Sequence, residues 1–302
     1  MGERVSRGKH TVALPGTTMP VGMFGGLRRA AGSIRARLAR GSREQAEREE
    51  RIARVAEVIE VGSPIERGWI INEVAGDLCY ERGGVRVEPG NTVIDAGANI
   101  GVAAAHFAIN RGAGIVHSFE PVPETFEALR GNVRSLAACH PHQVGLAARA
   151  GRRKMTVYPG ETVLATIDPD EARVRRQLAQ VAENWGVDRL EAEDSMSGRL
   201  EGEVIECDFI RLSDFITENG LGPIDLLKVD VERAELEVLD GIDDEHWPLV
   251  RQVTAEVHAE ELERNVVRLL RAKGFRVTVE QEAALVGTPV KLLYAVSGQS
   301  SD

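Results

Sequence analysis

The sequence has no long apolar run. No stretch of about 18 uncharged apolar residues occurs anywhere in its 302 residues, which excludes a membrane-spanning helix. Cysteine is scarce. Cys79, Cys139 and Cys207 lie far apart and in no metal-like spacing, which excludes a disulfide framework and points to a reducing compartment. Aromatic residues make up only 4%, and 5 lysines stand against 32 arginines, a bias that reads as genome composition. No secretory leader is expected, because no apolar core of about 7–15 residues follows Arg4, Arg7 and Lys9. A cytoplasmic location is therefore expected. The apolar content is ordinary, and the length suffices for one large core or two small ones.

Charge is unevenly placed. Residues 1–43 hold nine Arg/Lys and one acid, Glu3, for a net +8; the whole chain carries −10, so the rest carries −18 by subtraction. A body this acidic argues against nucleic acid as a partner. The basic arm reads as a flexible, solvated extension, with contact to nucleic acid or an acidic partner protein as the alternative.

The arm contains one short strand candidate at 11–14. The pattern then turns helical over 42–60 and again over 64–80. From Asn91 onward strands and helices alternate, which predicts a mostly parallel α/β sheet. Strands are expected at 92–95, 115–119, 143–146, 224–229 and 250–257, with an antiparallel edge pair at 276–280 and 290–296. A helix is expected over 100–111, and another starting at Pro123. An insertion of about 150–205 separates strands three and four. Its helix has Asp168 as N-cap and an apolar stripe of Val174, Leu178, Val181 and Trp185, ending at Gly186. That stripe is either an extra core helix or a lid. No internal repeat or second domain is visible, so 44–302 is expected to be one domain.

The chemistry concentrates at Val93-Ile94-Asp95-Ala96-Gly97-Ala98-Asn99-Ile100-Gly101, followed by Phe119-Glu120-Pro121. A strand that runs into a small-residue turn and a helix, with a carboxylate closing the next strand, describes an adenosine-bearing ligand across a parallel sheet. A dinucleotide fingerprint requires a second glycine where Asn99 stands, and Asp95 adds negative charge where a pyrophosphate would need none. A carboxylate there suits a ligand with an amino group and a sulfonium, and S-adenosylmethionine (SAM) is such a ligand.

With Leu227-Lys228-Val229-Asp230-Val231-Glu232, Glu235 and Glu256-Val257-His258, these motifs resemble, in order, those of the FkbM-type SAM-dependent methyltransferases. The resemblance covers about residues 70–296. Gly241-Ile242, Trp247-Pro248, Arg251-Gln252-Val253, Gly287-Thr288 and Tyr294-Ala295 bring the chain closer to members embedded in, or working beside, nonribosomal peptide and polyketide assembly lines. The resemblance implies a Rossmann-like class I methyltransferase sheet, with an N-terminal helical extension and a lid insertion. It implies SAM as cofactor, with S-adenosylhomocysteine as product, and a small specialised metabolite as acceptor, free or carrier-bound. A homodimer is left open. Cofactor contacts are expected at Asp95, Gly97, Asn99, Ile100, Gly101, Glu120, Pro121, Gly145 and Asp230. Many members carry glycine after the D-V-E; here it is Arg233.

Asp230, Glu232, Glu256 and His258 follow the ends of two strands expected to be neighbours, so they are the catalytic candidates. His258 is the candidate base for a hydroxyl acceptor, oriented by Asp230 or Glu232. The alternatives are a structural histidine, an Asp230 that caps the next helix, and a Glu235 that pairs with a basic residue such as Arg233. Tyr80 reads as packing rather than as a cover for the ligand. The other histidines form no ligand set, and no metal is expected, although the three carboxylates could in principle supply one. Rival readings are methylation at carbon or nitrogen, an NAD-dependent oxidoreductase, and a non-catalytic SAM- or carrier-binding module.

Overall fold

A computed structural model describes residues 42–62, 64–158, 162–184 and 201–298. The basic arm, with its candidate strand, lies outside them.

Two helices, α1 (Ser42–Ala56) and α2 (Pro64–Ile71), lead through a π-turn at Asn72–Gly76 to the first strand, β1 (Thr92–Ala96). There follow α3 (Val102–Asn110), β2 (Ile115–Phe119), α4 (Pro123–Val133), β3 (Cys139–His142), β4 (Gly145–Leu146), β5 (Gly151–Val157), α5 (Glu171–Asn184) and β6 (Glu203–Ile210). The chain closes with α6 (Leu212–Asn219), β7 (Leu226–Val229), α7 (Glu235–Asp240), β8 (Gln252–Val257), α8 (Glu260–Ala272), β9 (Phe275–Glu280) and β10 (Lys291–Ser297).

Seven strands form one sheet in the order β3-β2-β1-β7-β8-β10-β9. The first five run parallel, and β10 pairs antiparallel with both neighbours. The order reverses beside β1, which makes the gap between β1 and β7 the topological switch point, where open α/β sheets bind ligands. Helices cover both faces, so the central strands are apolar on both sides. Val93, Val116 and Leu226 join one core beneath α1 to α4, while Ile94, Leu227 and Val253 join a second beneath α6 to α8. This is the class I methyltransferase-like architecture expected from the motifs.

The third strand differs from expectation. It is Cys139–His142, parallel to β2, while Gly145 and Leu146 leave the main sheet to pair with β6 in a separate three-stranded sheet, β4-β6-β5. Pro141 masks β3 in the sequence, yet an edge strand tolerates a proline that cannot donate to the ladder. The insertion runs into β6, which buries Cys207 and Phe209 by period-2 alternation despite its acidic composition. In α5, Asp170 rather than Asp168 caps the helix: its Oδ1 accepts the Arg173 N–H at 3.0 Å. Asp168 lies just outside and pairs with two arginines instead. Asn184 Nδ2 donates to the carbonyls of Ala284 and Val286, which ties α5 to the loop before β10. Trp185 and Gly186 lie outside the described residues.

Candidate active site

The turn after β1 is held from within. The N–H groups of Gly97 and Ala98 both donate to the Phe119 carbonyl at 3.0 Å, and Asn99 N–H donates to Glu120 Oε2 at 3.0 Å. Ile100 N–H donates to Asn99 Oδ1 at 2.6 Å, and Gly101 N–H to the Ala98 carbonyl at 2.9 Å. All five amides are therefore consumed inside the protein. A pyrophosphate site needs such amides free, so this turn is not a dinucleotide cradle. Glycine is required at 97 because φ is +75° and a Cβ would lie 1.7 Å from the Asp230 carbonyl oxygen. Asn99 takes a left-handed φ of +49°, a conformation that asparagine tolerates better than most residues.

Glu120 is the hinge between this turn and β2. It is 7% exposed, and its second oxygen accepts the Val122 N–H at 2.9 Å. Burial pushes its carboxyl up to about 7, against the pull of the two amides. Each oxygen keeps lone-pair capacity beyond the one amide it accepts, which suits a ribose diol. Pro121 carries the chain to Val122, from which α4 starts with Pro123 at its first position. Asp95 lies fully buried beneath the turn, with Lys228 Nζ 3.0 Å away. Neither Asp95 oxygen receives a well-directed hydrogen bond, and burial raises its pKa in spite of Lys228. Lys228 also donates to the Gly97 carbonyl at 2.8 Å. Burial opposes its charge, but Asp95 and Asp230 outweigh that and raise its pKa. Asp95 is thus tied to the turn through Lys228. Gly145 is buried under the Phe209 ring, where a Cβ would lie 2.3 Å from that ring, so packing accounts for this glycine.

Across the switch point the four catalytic candidates converge. His258 Nδ1 lies 2.6 Å from Glu235 Oε1, and Nε2 lies 3.2 Å from Glu256 Oε1 and 3.5 Å from Glu232 Oε2. Burial alone would lower the His258 pKa, but Glu232 and Glu235 outweigh it and raise it well above the usual 6.5. Burial pushes Glu232 up to about 8. Burial also raises Glu256, with Asp230 adding to it. The Tyr80 hydroxyl donates to Asp230 Oδ2 at 2.6 Å, and Lys228 Nζ stands 5.0 Å over the Tyr80 ring. Tyr80 is therefore a polar member of this cluster and more than packing. Burial and Asp230 raise its pKa, which keeps the hydroxyl protonated and donating.

Atoms of Asp230, Glu256 and His258 that are capable of binding metal lie within 4.8 Å of one another. Asp230 already accepts from Tyr80, and the acidic groups around His258 hold its ring towards the protonated form, which offers a metal no lone pair. No clear metal site results among the described residues. SAM does fit: the turn offers no free amide to a phosphate, Glu120 keeps acceptors for a ribose, and the carboxylates beyond suit a cationic sulfonium.

Residues 95–277 match the Methyltransferase FkbM domain. A 31-O-demethyl-FK506 methyltransferase FkbM of Streptomyces tacrolimicus is 41% identical over 229 residues, covering 74% of this chain and 88% of that protein. The chain belongs to the FkbM family of methyltransferases. It is also 34% identical over 246 residues to the AMB antimetabolite synthetase AmbE of Pseudomonas aeruginosa, covering 76% of this chain but only 12% of the synthetase. Methyltransferase sdnD of Sordaria araneosa is 34% identical over 229 residues, covering 72% of this chain and 85% of that protein. This FkbM-family protein is a SAM-dependent methyltransferase, and the oxidoreductase and non-catalytic readings fall.

The structure adds residues to the site of this methyltransferase that spacing did not reveal. Glu235 takes both the His258 ring and the Arg233 backbone N–H, the latter at 2.8 Å. Glu73 in the π-turn faces Glu256, Glu282 and Asp230, and burial with these charges raises its pKa well above normal. A π-turn often marks a functional position, but nothing in local periodicity announces it. Asn132, 1% exposed, accepts from the N–H groups of Glu60 and Val61 and donates to the carbonyls of Val61 and Ile100. It pins the segment after α1 to the cofactor turn.

Proposed function

We propose that this methyltransferase transfers the SAM methyl group to a hydroxyl oxygen of a small specialised metabolite, with His258, Glu232 and Glu256 acting together as proton acceptor. The observation that carries the reading is the buried Glu235–His258 contact of 2.6 Å, which leaves Nε2 facing Glu256 and Glu232. SAM supplies a methyl group already activated by its sulfonium. The residues of this chain need to align the acceptor about 3 Å from that carbon, exclude water and take the hydroxyl proton. His258 is held towards its protonated form in the free protein, so the cluster shares the load: Glu232, pushed up to about 8, accepts the hydroxyl proton in the fraction of enzyme in which it is ionised, and that fraction grows as pH rises. A positive charge beside the cluster favours its deprotonated form.

The name of the Streptomyces relative, which places its methyl group on an oxygen, supports the reading. The acceptor of this reading is a free small molecule, with a carrier-bound form kept as the alternative. Asp95, Gly97, Asn99, Ile100, Gly101, Glu120 and Pro121 form the cofactor side, and Asp230 bridges to the acceptor side. We read 44–302 as one catalytic domain. The three free, buried cysteines support a cytoplasmic setting; no helix among the described residues is long and apolar enough to cross a membrane.

The test is S-adenosylhomocysteine formation by purified enzyme with hydroxyl, amine and indole compounds. His258→Ala is expected to lower kcat for a hydroxyl acceptor about 100-fold or more, in the range of lost general-base catalysis. Retention of most of kcat, or turnover confined to indoles or amines, rejects oxygen methylation.

A further inference from the structure

The turn after β7 is strained. Glu232 and Arg233 both have left-handed backbones, with φ of +48° and +82°. For residues that carry a Cβ, each such conformation is strained and persists only where surrounding contacts over-determine it. Two of the contacts here come from the insertion. Thr166, 4% exposed, donates its hydroxyl to the Glu232 carbonyl at 2.8 Å. Arg233 Nε donates to Asp168 Oδ2 at 2.8 Å, and its Nη1 donates to the His258 carbonyl at 2.8 Å. One guanidinium thus joins the start of the insertion to the end of β8. A third contact lies on the cofactor side, where the Thr162 hydroxyl donates to Asn99 Oδ1 at 2.7 Å.

We propose that Arg233 is a positioning residue: a clasp that fastens segment 162–168 across the strand ends, so that Glu232 faces His258 only while the insertion is docked. The geometry distinguishes this from a surface ion pair. The guanidinium uses two separate nitrogens on two elements, is 19% exposed, and is held at a φ that glycine would occupy without strain. The Arg233 N–H is also committed, to the Glu235 oxygen that contacts His258. Asp168 is secured from the other side by Arg173, at 3.2 Å, which places the start of α5 in the same network. Opening this network frees the carbonyls of Glu232 and His258 together. The inference goes beyond oxygen methylation and holds for any acceptor atom.

The test needs no acceptor. Arg233→Gly relieves the backbone strain and keeps the N–H, so the variant is expected to fold with an unchanged or higher Tm. Asp168→Ala, at a residue whose side chain is 57% exposed, breaks the same clasp without touching the turn. Hydrogen exchange over 162–168 and 230–235 is expected to accelerate about tenfold or more in both variants, with S-adenosylhomocysteine bound. The double variant should be no faster than the faster single one. The His258 ring, which faces Glu232, Glu235 and Glu256, should titrate at lower pH in Arg233→Gly as Glu232 moves away. Exchange within twofold of wild type in both variants, an unmoved ring titration, or additive effects in the double variant overturns the clasp.

Discussion

Replacing Glu235 by Gln probes the pairing on which proton transfer rests. Glu235 is fully buried, and its Oε1 lies 2.6 Å from His258 Nδ1 and 2.8 Å from the Arg233 amide nitrogen. A glutamine carbonyl can accept both bonds, so geometry survives while the charge is lost. A hydrogen bond to a charged group is worth about 1.5–3 kcal/mol and a neutral one about 0.5–1.5, a difference of about 1–1.5 kcal/mol. At about 1.36 kcal/mol per pKa unit, the His258 pKa should fall by about one unit. The direction follows from the charge, because removing an anion beside an imidazolium disfavours the protonated ring. The assay is kcat against pH for an acceptor identified by the S-adenosylhomocysteine formation test, together with titration of the His258 ring in the free enzyme. The acid limb of kcat is expected to move down by about one pH unit. A raised histidine pKa contributes stability fully below the ordinary value of 6.5, and that contribution is lost as pH rises through the folded-state value. The stability lost in Glu235→Gln should therefore be greatest in acid. A ring that titrates lower while the kcat limb stays in place would refute the role in proton transfer; a ring that does not move would refute the pairing itself.

Two further outcomes follow from the cofactor side. Glu120→Ala removes the acceptor of the Asn99 and Val122 amides and should weaken S-adenosylhomocysteine binding by calorimetry about 10–100-fold, or about 1.4–2.8 kcal/mol. In the unmutated enzyme, affinity should fall as pH drops through about 7, because Glu120 is the anionic acceptor only above that value; a flat profile from pH 6 to 8 contradicts this. Asn132→Ala strands four backbone groups, those of Glu60, Val61 (N–H and carbonyl) and Ile100, and should cost about 3 kcal/mol in urea unfolding. A loss below about 0.5 kcal/mol would mean that water replaces the asparagine.

The central strands were legible because their apolar runs are bounded by turn residues. The edge pair β9–β10 was legible by the same logic. The strand Cys139–His142 was not, because Pro141 and two histidines look unlike a strand until the parallel partner and the exposed edge are known. The helix cap moved by two residues for a related reason: Asp168 and Asp170 carry the same local signal, and only the arginines around Asp168 draw it away.

The sequence alone determined the ligand turn, the carboxylate after β2 and the D-V-E and E-V-H motifs, because each is a short run whose chemistry is set by its own residues. Asn99 in place of a second glycine, with Asp95 before it, already favoured a SAM site over a dinucleotide site. Only the tertiary structure decided which groups face one another. Tyr80 reaches Asp230 across 150 positions of chain, and Glu235 reaches His258 across 23. No periodicity encodes such pairs, because they arise where strand order brings separate strand ends together. The same convergence raises the His258 pKa: a lone histidine titrates near neutrality, and the acidic groups of Glu232, Glu235 and Glu256 gathered around this one outweigh the burial that would lower it.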